Sequence, residues 1–113
     1  MKTMFTRTAL LSLFLLVLSA SVQAQQNYYV DVTNNTGYTI MYMYVSPADA
    51  RTWEEDVLGA DVLPTGQTGR VNLNGYHSPI FDIRLVDEDG DTYTFWQVDV
   101  STSDLVVTLA NMD

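Results

Sequence analysis

The chain has no cysteine among its 113 residues. That absence excludes disulfides, thiolate metal sites and thiol catalysis together. A single histidine, His77, leaves no multi-histidine zinc site. Lysine does not occur after Lys2, and the arginines beyond residue 24 are Arg51, Arg70 and Arg84. So few cations cannot track a phosphate backbone, which excludes nucleic acid as a partner. The chain also lacks the run of roughly 20 apolar residues that a bilayer span requires. The longest such run, Ala9 to Leu18, has ten residues and is interrupted at Ser12.

That short run stands where a secretory signal peptide has its apolar region. Lys2 and Arg7 precede it, and Val22-Gln23-Ala24 offers small side chains at the positions a signal peptidase reads. Cleavage after Ala24 is expected. Ser21 stands where a lipobox needs cysteine, so the product should carry no lipid and no membrane anchor. A secreted or periplasmic protein follows as the expectation. Removing 24 of 113 residues leaves one domain, residues 25–113, with three arginines against all fourteen acids and a formal charge of −11. A chain of this size buries about 60–65% of its unfolded surface, enough to fold alone with little margin.

The remaining residues alternate as strands do. Tyr28, Val30 and Val32 share one face, and Phe81, Ile83 and Leu85 another. Tyr38 to Val45 is apolar on both faces. Asn34-Asn35-Thr36-Gly37, Pro64-Thr65-Gly66, Asn74-Gly75 and Asp87-Glu88-Asp89-Gly90-Asp91 supply turn chemistry. The last of these reads as a tight hairpin with Gly90 in the left-handed position. Between Thr92 and Val100 the apolar parity shifts from Tyr93 and Phe95 to Trp96, Val98 and Val100, which predicts a β-bulge. Ser46-Pro47-Ala48-Asp49 resembles a helix start, predicting a short helix with Trp53 docked inward. Both Trp53 and Trp96 are expected to be buried and structural. The expected architecture is all-β: an antiparallel β-sandwich, Ig-like or C2-like, of six to eight short strands with one short helical loop.

Asn35-Thr36-Gly37, Tyr44-Val45-Ser46-Pro47, Trp53, Leu58-Gly59, Leu63 with Gly66, Phe81-Asp82-Ile83-Arg84 and Asp87-Glu88-Asp89-Gly90-Asp91 follow one another in a recognisable order. With these residues the chain resembles a group of small exported bacterial β-sandwich proteins, mostly uncharacterised. The resemblance covers nearly all of residues 25–113. It implies the fold and export, and no catalytic residues come with it.

Two clusters are candidate sites. Asp87, Asp89 and Asp91 present closely spaced carboxylates on a glycine-containing loop, a donor set suited to Ca²⁺. Aligning Gly90 with the invariant glycine of an EF-hand puts Leu85 and Trp96 at ligand positions, so that motif is excluded. Hairpin turns select the same residues with no ion bound. Tyr38, Tyr42 and Tyr44 form the second candidate, a tyrosine face able to stack on a sugar or receive a protein. His77 and Ser78 are adjacent in a loop and do not face each other as a catalytic pair must, and no nucleophile elbow is present. A non-catalytic binding domain for a protein, a glycan or an ion, with Ca²⁺ as the candidate stabilising cofactor, is the expectation. The alternative is a periplasmic inhibitor or immunity protein directed at a basic toxin or lytic enzyme, suited by the charge of −11. A hydrolase comes a distant third.

Overall fold

A computed structural model of the chain describes residues 24–113; the expected signal segment, Ala24 excepted, lies outside the described residues. Six strands follow in order: β1 (Gln26–Asn35), β2 (Ile40–Pro47), β3 (Thr68–Tyr76), β4 (Ile80–Asp87), β5 (Thr92–Asp99) and β6 (Leu105–Thr108). They form two three-stranded sheets, β3-β1-β6 and β2-β4-β5, packed face to face as a sandwich. All pairings are antiparallel except β1 with β6, which is parallel over Val32–Asn35 and Leu105–Thr108.

The alternation seen in the sequence sets which side chains face inward. Val30 and Val32 of β1, Val71 and Leu73 of β3, and Leu105 and Val107 of β6 line the inner face of the first sheet. Opposite them stand Ile40, Met43 and Val45 of β2, Phe81, Ile83 and Leu85 of β4, and Tyr93 of β5. Each fully buried aliphatic side chain contributes roughly 1.5–3 kcal/mol relative to exposure.

Inside this core lies a polar network rooted in Asn34, which has no exposed surface. Its Nδ2 donates to the carbonyls of Tyr38 and Leu63 at 2.7 and 2.9 Å, and its Oδ1 accepts from the backbone N–H and hydroxyl of Thr36 at 3.0 and 2.7 Å. All four of its hydrogen-bonding positions are used, so burying it costs little. Among the described residues no buried side-chain nitrogen or oxygen lacks a partner.

The edge of β2 and the start of β5 in the second sheet are covered. Along β2, Leu63 exchanges both backbone bonds with Ile40 at 2.9 Å, and the Val57 N–H reaches the Met43 carbonyl at 2.8 Å. The Met43 N–H donates to the Asp56 carboxylate at 2.8 Å. Along β5, Met112 bridges Tyr93, and the Asp113 N–H donates to the Thr92 carbonyl at 2.9 Å. These covered stretches offer no backbone template to a foreign strand.

Three local expectations are corrected. No helix follows Ser46: that residue lies within β2 as a buried side chain, and its hydroxyl accepts the Glu54 N–H at 2.9 Å. The stretch up to Gly59, the expected helix stop, instead bonds to β2 through the Val57 N–H and the Asp56 carboxylate, and a short isolated helix could not offset the cost of its nucleus. The one helical element among the described residues is a 3-10 turn at Leu109–Asn111. Asn74-Gly75 does not end its strand; Gly75, at φ +80°, lies within β3 beside a register shift in β1, and the chain reverses after Tyr76 instead. Finally, Trp96 is 63% exposed and Trp53 is half-buried, so neither is a core residue.

Candidate functional site

Trp96 faces outward next to a bulge in β5. Phe81 pairs with Val98 but Ile83 pairs with Phe95, so β5 carries one residue more than β4 over that stretch. The extra length is taken up at Gln97, the one non-glycine residue with positive φ, +54°, among the described residues. Its N–H is held by Asp82 Oδ1 at 2.8 Å. This is the bulge that the parity shift predicts: Trp96 follows inward-facing Phe95 and so points to the surface, and the added residue returns Val98 and Val100 to the core side.

Across the outer face of the second sheet the pairing sets side chains in rows. Tyr42 is opposite Val86, which is opposite Thr92; Tyr44 is opposite Arg84, which is opposite Thr94. The Arg84 Nε donates to the Thr94 hydroxyl at 3.0 Å. The connector after β2 then folds over this face. It places the Trp53 ring above Arg84, whose guanidinium carbon is 4.9 Å from the ring centroid. Trp53 meets Trp96 with centroids 5.7 Å apart and planes tilted by 34°. Between connector and sheet lies a pocket of about 110 Å³ lined by Ser46, Arg51, Thr52, Trp53, Asp82 and Trp96. At the margin, Asp113 accepts hydrogen bonds from the Thr94 and Thr92 hydroxyls at 2.6 and 2.8 Å. These bonds, Thr94 first, and then the charge of Arg84 hold its carboxyl below the usual carboxylate range.

Of the three tyrosines expected to form a binding surface, Tyr42 (48% exposed) and half-buried Tyr44 share this outer face. Tyr38 stands apart, in the bend before β2. The buried Ile40 shows why: a register shift between Ile40 and Tyr42 breaks the alternation that would align all three. The residues missed in the sequence are Trp53, Trp96, Arg84 and Asp82. The alternation of Tyr93 and Phe95 carried the information for Trp96, because the residue after an inward side chain faces out.

The acidic hairpin is well defined. Carboxylate oxygens of Asp87, Asp89 and Asp91 come within 4.8 Å of one another. Asp87 is 2% exposed, and its Oδ1 accepts the N–H groups of Asp89 and Asp91, each at 3.0 Å. Its Oδ2 accepts the Tyr93 hydroxyl at 2.8 Å. The Gly90 N–H closes the turn on the Asp87 carbonyl at 3.0 Å, with Gly90 at φ +83° as the bulged hairpin requires. Asp89 and Asp91 are exposed. Asp87 therefore serves the hairpin and core through three donors, and a cation approaching from solvent would meet chiefly Asp89 and Asp91.

Elsewhere, a hollow of about 460 Å³ lies between Gln26–Tyr29 and Val100–Asp104, beside the half of β1 that β6 does not reach. On the outside of the first sheet Arg70 forms a two-pronged contact with Asp31 at 2.8 and 3.1 Å and covers the Tyr29 ring at 4.0 Å. The guanidinium bond holds the Asp31 carboxyl below its ordinary range, but so exposed a pair adds little stability. The Ser78 hydroxyl accepts the Ile80 N–H at 3.2 Å, while the exposed His77 ring lies 3.3 Å from the Gln25 amide. The chain matches no protein-family model, and no curated protein or solved structure is significantly similar to it.

Proposed function

We propose that the chain is an exported, non-catalytic binding domain that meets its ligand on the outer face of the β2-β4-β5 sheet, around Trp96. The observation that carries this reading is an indole 63% exposed at a bulge whose left-handed residue is not glycine. Exposing Trp forfeits burial energy, and a left-handed Gln adds strain; such features persist chiefly where a surface is used. Tyr42 and Tyr44 extend the face, which rests on a sheet rather than on a mobile loop.

The test is Trp96→Ala. A side chain this exposed should change stability by no more than about 0.5 kcal/mol. Retention on immobilised cell-envelope material should nevertheless fall sharply. A variant retained as strongly as the parent would overturn the reading.

The charge of −11 favours a second reading, inhibition of a basic toxin or lytic enzyme. Exposed Glu88, Asp89 and Asp91 cluster at one end of the sandwich and would steer such a partner. Binding of that kind weakens steeply with salt and is indifferent to Trp96→Ala.

A further inference from the structure

We propose that the Trp53–Trp96 pocket binds an uncharged, hexose-based glycan, an inference that rests on the binding face proposed above and names what it takes. A pyranose ring presents one face of C–H groups and a rim of hydroxyls. It therefore needs a flat aromatic surface beside a few polar groups. Trp96 supplies that surface: one side of its ring adjoins Trp53, and 63% of the residue is open to solvent. The polar residues Asp82, Arg51 and Thr52 line the same pocket. Asp82 is already oriented, because its Oδ1 holds the Gln97 N–H. Its second oxygen is left to accept from a sugar hydroxyl.

Charge separates a neutral sugar from the other occupants. Within the pocket Arg51 and Asp82 cancel. Arg84 lies behind Trp53, close enough to Asp113 to lower that carboxyl's pKa. The pocket is thus near neutrality on a domain of formal charge −11. An anionic ligand is repelled by the whole domain, and a cationic one is drawn to the exposed acids of the hairpin rather than here. Strand addition by a peptide is blocked along β2 by the 56–63 segment and at the start of β5 by Met112-Asp113. Preorganisation suits a weak, stacking ligand: Arg84, fixed by Thr94, supports Trp53 from beneath, so little freedom is lost on binding.

The experiment follows the two indole N–H resonances of the ¹⁵N-labelled protein. The probes are neutral hexasaccharides of α- and β-linked glucose, mannose, galactose and N-acetylglucosamine, a galacturonate oligomer, and hexalysine. At least one neutral sugar should shift both indoles, with an affinity unchanged between low and high salt. Trp96→Ala should weaken it by about tenfold or more while the backbone spectrum stays folded. Asp82→Asn, which keeps the oxygen that holds Gln97, should weaken it several-fold. Indoles that respond to hexalysine or galacturonate and to no neutral sugar overturn the glycan and leave the binding face standing. Indoles that respond to nothing in the panel overturn the glycan, and if Trp96→Ala also leaves envelope retention intact, the binding face falls with it.

Discussion

The Tyr93 hydroxyl donates a 2.8 Å hydrogen bond to Oδ2 of Asp87, with both residues inside the sandwich at the base of the β4–β5 hairpin. Oδ1 of the same carboxylate receives two backbone N–H groups of the turn. One side chain therefore closes the hairpin and ties it to the core. Asp87→Ala leaves three donors without an acceptor and should cost about 3–5 kcal/mol. Asp87→Asn preserves an acceptor for the two N–H groups and should cost roughly 1–2 kcal/mol. Urea denaturation of both variants checks the order; equal, small losses would show that the turn holds without this residue.

Tyr93 makes the same relationship visible in alkali. Burial first, and then the hydrogen bond to Asp87 and its charge, push the Tyr93 phenol up to about 12 from an ordinary 10. A folded pKa above the unfolded one contributes stability that is complete below pH 10 and lost as pH rises through 10 towards 12. The amount is on the order of 2–3 kcal/mol. Tyrosinate absorbance of the folded protein should show one of the seven phenols ionising last, together with unfolding. Tyr93→Phe should flatten the loss of stability over that range. A Tyr93→Phe variant with the same alkaline profile as the parent would contradict the assignment.

The strand order was not legible in the sequence, although the strands were. Alternation in Val30-Asp31-Val32 and Phe81-Asp82-Ile83-Arg84-Leu85 is a local property, and each such segment became a strand facing as expected. The parallel pairing of β1 with β6 joins residues more than seventy apart, and no local pattern encodes it. The tyrosine face was half legible, because an added residue between Ile40 and Tyr42 cancels the parity that sequence spacing assumes. At Trp96 the bulge itself was legible. The exposure of Trp96 was not, since an apolar side chain is expected to face the core and here the alternation from Tyr93 and Phe95 carries it outward.

The hairpin's geometry also bears on Ca²⁺. That ion takes six to eight oxygens, while Asp87 already accepts three hydrogen bonds and is shut off from solvent. Ca²⁺ and Mg²⁺ at matched ionic strength should therefore raise the melting temperature equally, by screening the excess of fourteen acids over the basic residues. Asp89→Asn should behave as any other neutralisation. A rise specific to Ca²⁺ that Asp89→Asn or Asp91→Asn abolishes would instead establish a resident ion, worth about 2.7 kcal/mol at a hundred times its dissociation constant.

Gln97 offers the sharpest separation of stability from binding. Its φ of +54° places a side chain where Cβ crowds the following carbonyl, costing about 1–2 kcal/mol. Glycine removes that strain and returns about 0.5–1 kcal/mol of it as extra freedom in the unfolded chain. The N–H bond to Asp82 is made by the backbone, so Gln97→Gly retains it. The variant should be more stable by up to about 1 kcal/mol, a rise of several degrees in melting temperature for a domain of this size. Glycine also loosens the segment that presents Trp96, so ligand binding on that face should weaken although no contacting side chain has changed. Thermal melting and indole titration of the same preparation read both effects. A variant that is less stable than the parent would show that Gln97 is not strained, and would remove the bulge from the case for a functional surface.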